Sequence, residues 1–268
     1  MRNLYRVLAL ALALLLAAAG LALAGPVAQR VSKNKLLVVG TAADYPPFNV
    51  KDKAGRVIGL DMDLAHGLAA ALGVKLEVKV MPFAQLLPAL RAGKLDLALA
   101  GITMMPRRNL EVAFVGPYFV TGQGMLLKAS LAASIKGPGD VNRPEFTVAV
   151  AKGTTGEGAA RVALSMAKLA PAANMEAALK MLLDGKAQVL VADFPFCALA
   201  AFRYPQANLA ALDKPFTYEP IGMALPPGDD LWANLLRNYL GALMQSGKLK
   251  QLQQRWFQRA DWMQNVPK

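Results

Sequence analysis

Short apolar runs alternate with segments of helical period along this chain, and the alternation runs through twice. Leu36-Leu37-Val38-Val39 ends at Gly40-Thr41 and delivers the Pro-rich loop Tyr45-Pro46-Pro47-Phe48, as a buried strand feeding a loop does. Asp52 to Gly59 reads as a turn and short hairpin. Asp61 is placed to cap a helix in which Leu64, Leu68, Ala71 and Leu72 recur at helical spacing before Gly73. Leu76 to Val80 alternates as a strand. A helix from about Phe83 to Ala92 closes at Gly93, with Pro88 tolerable only near its first turn or as a kink, and Leu95 to Ala100 is again a strand. On the second pass Phe146 to Ala151 is a strand and Gly153-Thr154-Thr155-Gly156 a loop. Glu157 to Leu169 and Met175 to Asp184 follow as helices, and Gln188 to Ala192 as a strand. Strands alternating with helices require an α/β fold with a largely parallel sheet.

The two passes superpose at Gly93-Lys94 and Gly185-Lys186. A Leu-rich helix precedes each pair, an apolar strand follows each, and eight residues beyond each glycine stand Gly101 and Asp193. Ligands gather at the carboxyl ends of parallel strands, so these two residues are candidates to face one another across a cleft between two lobes. Helix–Gly–strand segments are common in α/β chains, and spacing alone leaves a generic match open.

Ahead of this pattern, Arg2 and Arg6 precede an apolar run from Val7 to Ala19, and Ala22-Leu23-Ala24 stands before Gly25. That is the build of a secretory signal peptide with an A-x-A cleavage site. The run is just long enough to approach a spanning anchor. Its Ala-rich composition, the small residues at the junction and the following Pro26 favour cleavage after Ala24, and no Cys nearby offers a lipid attachment point. An exported, soluble, periplasmic protein beginning at Gly25 is expected, its formal charge falling from +12 to +10 as Arg2 and Arg6 leave. One Cys (Cys197) and one His (His66) exclude a disulfide framework, Cys-rich metal sites and His-pair metal sites, so neither metal nor cofactor is expected. The positive balance bears on solubility and encounter, and with basic residues scattered over an exported chain it gives no case for nucleic acid.

Several segments in order carry a resemblance: Thr41-Ala-Ala-Asp-Tyr-Pro-Pro-Phe48, Gly59-Leu-Asp-Met-Asp-Leu64, Leu86-Leu-Pro-Ala-Leu90 with Gly93-Lys-Leu-Asp96, Gly101-Ile-Thr-Met-Met-Pro-Arg-Arg108, Phe114-Val-Gly-Pro-Tyr118, Gly153-Thr-Thr155 and Ala192-Asp193. No single piece is specific, but the ordered set, running from about Leu36 to Phe257, resembles the amino-acid-binding family (bacterial family 3) of periplasmic solute-binding proteins. The resemblance implies the type II periplasmic-binding-protein fold, with two α/β lobes, each a mostly parallel sheet flanked by helices, joined by two hinge strands that close on a small ligand. The crossings then fall near Tyr118 to Gln123 and Thr217 to Gly222. Lobe I takes 25–118 and 223–268; the hinge strands and inserted lobe II take 119–222, lobe II itself being about 124–216.

By the same resemblance Arg108 forks the α-carboxylate of a free amino acid and Asp193 accepts from its α-ammonium. Thr103 supplies a hydroxyl, Gly101 a bare carbonyl, and Thr154 and Thr155 the start of a helix. Tyr45 and Phe83 fall where the family places aromatics against the ligand side chain. A buried zwitterion needs such a fixed cation and fixed anion together. Each residue also has a plain structural role open to it: Asp193 as a cap for a helix at Phe194, the threonines as turn residues, the aromatics as core. Departures bear on specificity. Ala42 stands where binders of basic and amide amino acids often carry Asp, Asp44 is displaced by two, and Ala151-Lys152 leaves the side-chain pocket without an obvious acid. An uncharged, aromatic or acidic side chain is therefore expected.

The function implied is the binding component of an ABC importer, a monomer that delivers a free amino acid to membrane permease subunits. The same scaffold in the resembling cyclohexadienyl dehydratases eliminates water and carbon dioxide from prephenate or arogenate. That chemistry needs an acid near the leaving hydroxyl, and the sequence neighbours of Asp193 include no second carboxylate. A ligand sensor that docks on a receptor would keep the same site.

Overall fold

The structure, a computed structural model, describes residues 26–267; the signal peptide and cleavage site expected at the start lie outside them. Thirteen strands are present among the described residues: β1 Leu36–Thr41, β2 Asp44–Tyr45, β3 Asn49–Lys51, β4 Val57–Ile58, β5 Lys75–Val80, β6 Leu97–Ala98, β7 Ala113–Thr121, β8 Gln123–Lys128, β9 Thr147–Ala151, β10 Lys168–Ala172, β11 Val189–Asp193, β12 Leu209–Ala211 and β13 Glu219–Leu225. The helices are α1 Pro26–Asn34, α2 Leu60–Leu72, α3 Phe83–Arg91, α4 Pro106–Asn109, α5 Ala129–Ala132, α6 Pro138–Val141, α7 Thr155–Ala163, α8 Met175–Leu183, α9 Phe194–Arg203, α10 Asp230–Gln245 and α11 Lys248–Phe257.

Two five-stranded sheets follow one plan, β5-β1-β6-β13-β7 and β10-β9-β11-β8-β12. In each, the first three strands pair in parallel, the fourth runs against them and the fifth runs with them. The reversed strand is the one the chain enters on crossing from the other sheet. β8 follows β7 after the single residue Gly122, and β13 is reached from β12 through residues 212–218. This is the two-lobed α/β architecture expected, and the duplicated helix–Gly–strand unit is its repeating half.

Each lobe buries an aliphatic interior that the apolar strands supply. Leu37, Val39, Leu64 and Leu68 are in the first, and Met125, Leu127, Val148, Val150, Val189 and Val191 in the second. The last two helices return to the first sheet. Trp232 is fully buried with its indole N–H on the Asp96 carbonyl at 3.0 Å, and Trp256 and Trp262 donate to Asp63 and to the Trp256 carbonyl. A tryptophan anchors well where its apolar ring is buried and its one donor is satisfied, as all three are here.

Three local expectations are corrected. α2 is capped by Gly59, and Asp61 lies one residue inside the helix with its carboxylate turned into the core. The helix expected to run to Leu169 ends at Ala163, and Lys168–Ala172 forms β10. Pro171 cannot donate to a ladder, but β10 pairs only with β9 and so needs no donor on its outer side. Pro88 sits inside α3, past the first turn, on an exposed position where water can take the carbonyl that its missing N–H leaves free. No helix among the described residues is long and apolar enough to cross a membrane.

Candidate ligand-binding cleft

The cleft forms where the carboxyl ends of the two parallel strand sets meet. Asp193, the last residue of β11, occupies the cap position of α9 but makes no capping bond. Its carboxylate faces the opposite lobe instead. Tyr45 Oη donates to one oxygen and Gln123 Nε2 to the other at 2.7 Å, while the Asp193 amide donates to Tyr45 Oη at 3.2 Å. Burial pushes the Asp193 carboxyl up to about 7; the negative charge of Glu219 works in the same direction, against Tyr45, Arg108 and Gln123.

Gly101 follows β6 with φ +61, and a Cβ there would lie 3.0 Å from the Tyr45 ring, so a side chain would strain the backbone and crowd that ring. Its amide donates to Asp61 at 3.0 Å. Asp61 also accepts from Tyr118 Oη at 2.6 Å and Asn49 at 2.8 Å, and burial still pushes its carboxyl up to about 7. The residue read as a cap is thus the tie that holds the Gly101 turn.

Arg108 reaches the cleft from α4. Its Nη1 donates to the Thr103 carbonyl at 3.0 Å and its Nη2 to the Gly153 carbonyl of the other lobe at 3.3 Å, with the guanidinium carbon 5.5 Å above the Phe83 ring. Burial lowers its pKa and the charges of Glu219 and Asp193 oppose this. An arginine stays protonated under such conditions. Thr103 Oγ1 lies 3.3 Å from Thr155 Oγ1 across the cleft. The Thr154 hydroxyl is already engaged, accepting from the Glu157 amide at 3.2 Å as the cap of α7 and donating to the Ala151 carbonyl at 2.7 Å. What Thr154 and Thr155 offer the cleft is therefore chiefly the helix start, whose first amides have no intrahelical acceptor.

All eight residues expected from the sequence (Arg108, Asp193, Thr103, Gly101, Thr154, Thr155, Tyr45 and Phe83) line one cleft. Gln123, Ala173, Asn174 and Met175 line it too, and no sequence motif marks them for it. Gln123 is expected from the sequence only as the end of a crossing. Its role depends on β8 pairing with β11 so that Gln123 lies opposite Asp193, a register that linear order does not reveal. Asp44 also lines the cleft, accepting from the Met175 amide at 3.1 Å, and burial raises its pKa. The cleft wall does contain an acid besides Asp193, namely Asp44, although none was expected beside Ala151-Lys152, and the negative charge of Glu219 reaches Asp193. Among the described residues no cluster of three or more His, Cys, Asp or Glu is arranged to hold a metal.

The family model for bacterial extracellular solute-binding proteins, family 3, matches residues 37–259. The chain belongs to this family. Among curated relatives, a cyclohexadienyl dehydratase of Pseudomonas aeruginosa is 28% identical over 250 residues, 93% of each chain. A probable amino-acid ABC transporter-binding protein of Haemophilus influenzae is 28% identical over 235 residues, covering 87% of this chain and 89% of that one. Among solved structures, a putative binding component of an ABC transporter from Wolinella succinogenes, complexed with lysine, superposes with a TM-score of 0.83 at 37% identity. The match covers 86% of this chain and 99% of that one. The ancestral amino acid-binding protein AncCDT-1, described as a precursor of cyclohexadienyl dehydratase, gives 0.80 at 38% identity over 85% and 98% of the two chains.

Proposed function

We propose that this protein captures a free amino acid between its lobes in the periplasm and delivers it to the permease of an ABC importer. One observation carries the reading: Arg108 and Asp193, a fixed cation and a fixed anion from opposite lobes, line the same cleft. Arg108 receives the α-carboxylate as a fork, and Asp193 receives the α-ammonium in place of Tyr45 and Gln123. The ligand meets both charges together only when the lobes are closed, so binding energy drives closure. We take lobe I as 25–118 and 223–268 and lobe II as about 124–216.

An uncharged or aromatic side chain would rest against Phe83, Ala151 and Ala173, and the exposed Lys152 would favour an acidic one. Asp44 on the same wall favours a cationic one. A second reading, dehydration of prephenate or arogenate, gains from the Asp193 carboxyl being pushed up to about 7, since a general acid must hold its proton at working pH. The binding reading stands ahead of it because Arg108 and Asp193 set across one cleft the two charges that a free amino acid carries.

A thermal-shift screen of the chain from Gly25 against free amino acids and prephenate, followed by calorimetry, separates the two. A bound amino acid raises the melting temperature, and Arg108→Ala weakens it by about thirtyfold or more. No shift with any amino acid would sink the capture reading, and turnover of prephenate to phenylpyruvate would replace it with the enzyme.

A further inference from the structure

Glu219 opens β13 at the return crossing and is 5% exposed, yet it does not line the ligand cleft. One carboxylate oxygen accepts from Thr217 Oγ1 at 2.9 Å; the other is buried with no hydrogen-bond partner. Burying an unpaired carboxylate oxygen is costly, which makes this an expensive group to keep for its shape alone.

Its position is tied to both residues that would clamp the ligand. The residues after Glu219 grip the loop that leads to Arg108: the Met104 amide donates to the Pro220 carbonyl at 2.7 Å, Thr103 is bridged to Ile221, and the Gly222 amide donates to the Ile102 carbonyl at 3.0 Å. On the other side, Thr217 Oγ1 accepts from the Gln123 amide at 2.8 Å, and the Gln123 side chain donates to Asp193 and Thr155. Glu219, Arg108, Thr103 and Thr155 share the wall of the outer cavity that adjoins the cleft. The charge of Glu219 reaches Arg108 and Asp193 alike.

The charged groups that line the cleft are Asp44 and Asp193 against Arg108 and the exposed Lys152, while Asp61 and Glu219 are buried behind its wall. At full ionisation the four lining charges cancel, so the excess of negative charge comes from the carboxylates buried behind the wall, Glu219 among them. The two α-groups of an amino acid cancel, so a cationic side chain reduces this excess and an acidic one enlarges it. Resting on the capture reading above, we propose that Glu219 is a specificity-determining residue, a buried charge outside the cleft that biases it toward amino acids with a cationic side chain.

Calorimetry with L-arginine, L-glutamine and L-glutamate tests this on the wild type, on Glu219→Gln and on Thr217→Ser. The wild type is expected to bind arginine most tightly. Removing the charge should weaken arginine about fivefold more than glutamine. Thr217→Ser keeps both the charge and the hydroxyl that donates to it, and should leave the arginine-to-glutamine ratio unchanged. Glu219→Ser gives the same comparison should Glu219→Gln fail to fold. An arginine-to-glutamine ratio unchanged in the neutral variants, or a wild type that prefers glutamine or glutamate, overturns the proposal. Absence of heat with every amino acid instead removes the capture reading beneath it.

Discussion

Burial holds the Asp193 carboxyl near the middle of its titration at neutral pH, since its pKa is pushed up to about 7. An α-ammonium binds the ionised form, so ligand binding should expel a proton around neutrality. Amino-acid affinity is expected to rise about tenfold from pH 6 to pH 8. Calorimetry in buffers of different ionisation heat would register the released proton, and a flat profile would remove Asp193 as the ammonium partner. The same shift affects stability. With the folded pKa above the unfolded value, the native state binds the extra proton between about pH 4 and 7, so the carboxyl costs stability fully above that window and not below it. Asp193→Asn should therefore melt higher than wild type at pH 8, with the gap closing toward pH 4. Asp44 shows how far residue order reaches: linear position puts this acid two residues from the family's place for one. Only the β2–β3 turn, which the sequence order does not spell out, carries it to the cleft wall beside α8.

At the scale of elements, the crossings are pressed together at Gly122. A Cβ there would lie 2.1 Å from the Thr217 carbonyl oxygen and 2.8 Å from Pro215 Cβ, so a side chain must separate the two connections. Gly122→Ala is expected to cost about 1–3 kcal/mol in urea unfolding and to weaken ligand binding, because the neighbouring Gln123 amide loses its register with Thr217. Gly158→Ala, on α7 with open space around it, should be neutral or slightly stabilising and serves as the control. Strands and helices with clear apolar spacing, such as β1, α2, β9 and α8, are legible in that spacing alone. β10 is not: Leu169, Ala170 and Ala172 continue a helical composition, and their strand is fixed by pairing with β9.

For the whole molecule, the two lobes meet through Tyr45 on Asp193, Thr103 on Thr155, Arg108 on the Gly153 carbonyl, the Met175 amide on Asp44 and the stacked rings of Tyr45 and Phe196, among other contacts. Most of these contacts are polar, and a ligand that bridges Arg108 and Asp193 would add to them. Saturation with the cognate amino acid should reduce the radius of gyration in X-ray scattering. At one hundred times the dissociation constant it should stabilise the protein by about 2.7 kcal/mol. A ligand that raises the melting temperature without altering the scattering profile would argue against hinge closure.

Local rules settle much of this protein. Apolar period, glycine stops and the doubled helix–Gly–strand unit determine an α/β chain in two like halves, and the ordered motifs determine which residues meet at the cleft. Tertiary structure decides what those residues face. The Thr154 hydroxyl is claimed by its own helix, Asp61 is turned inward to hold Gly101, and Gln123, Asp44 and Glu219 are brought within reach of the charges they modulate. Hydrophobic spacing is a property of neighbours along the chain and can be read there. Electrostatic environment depends on burial and on partners far along the chain, 148 residues apart for Tyr45 and Asp193, and exists only once the sheets have paired.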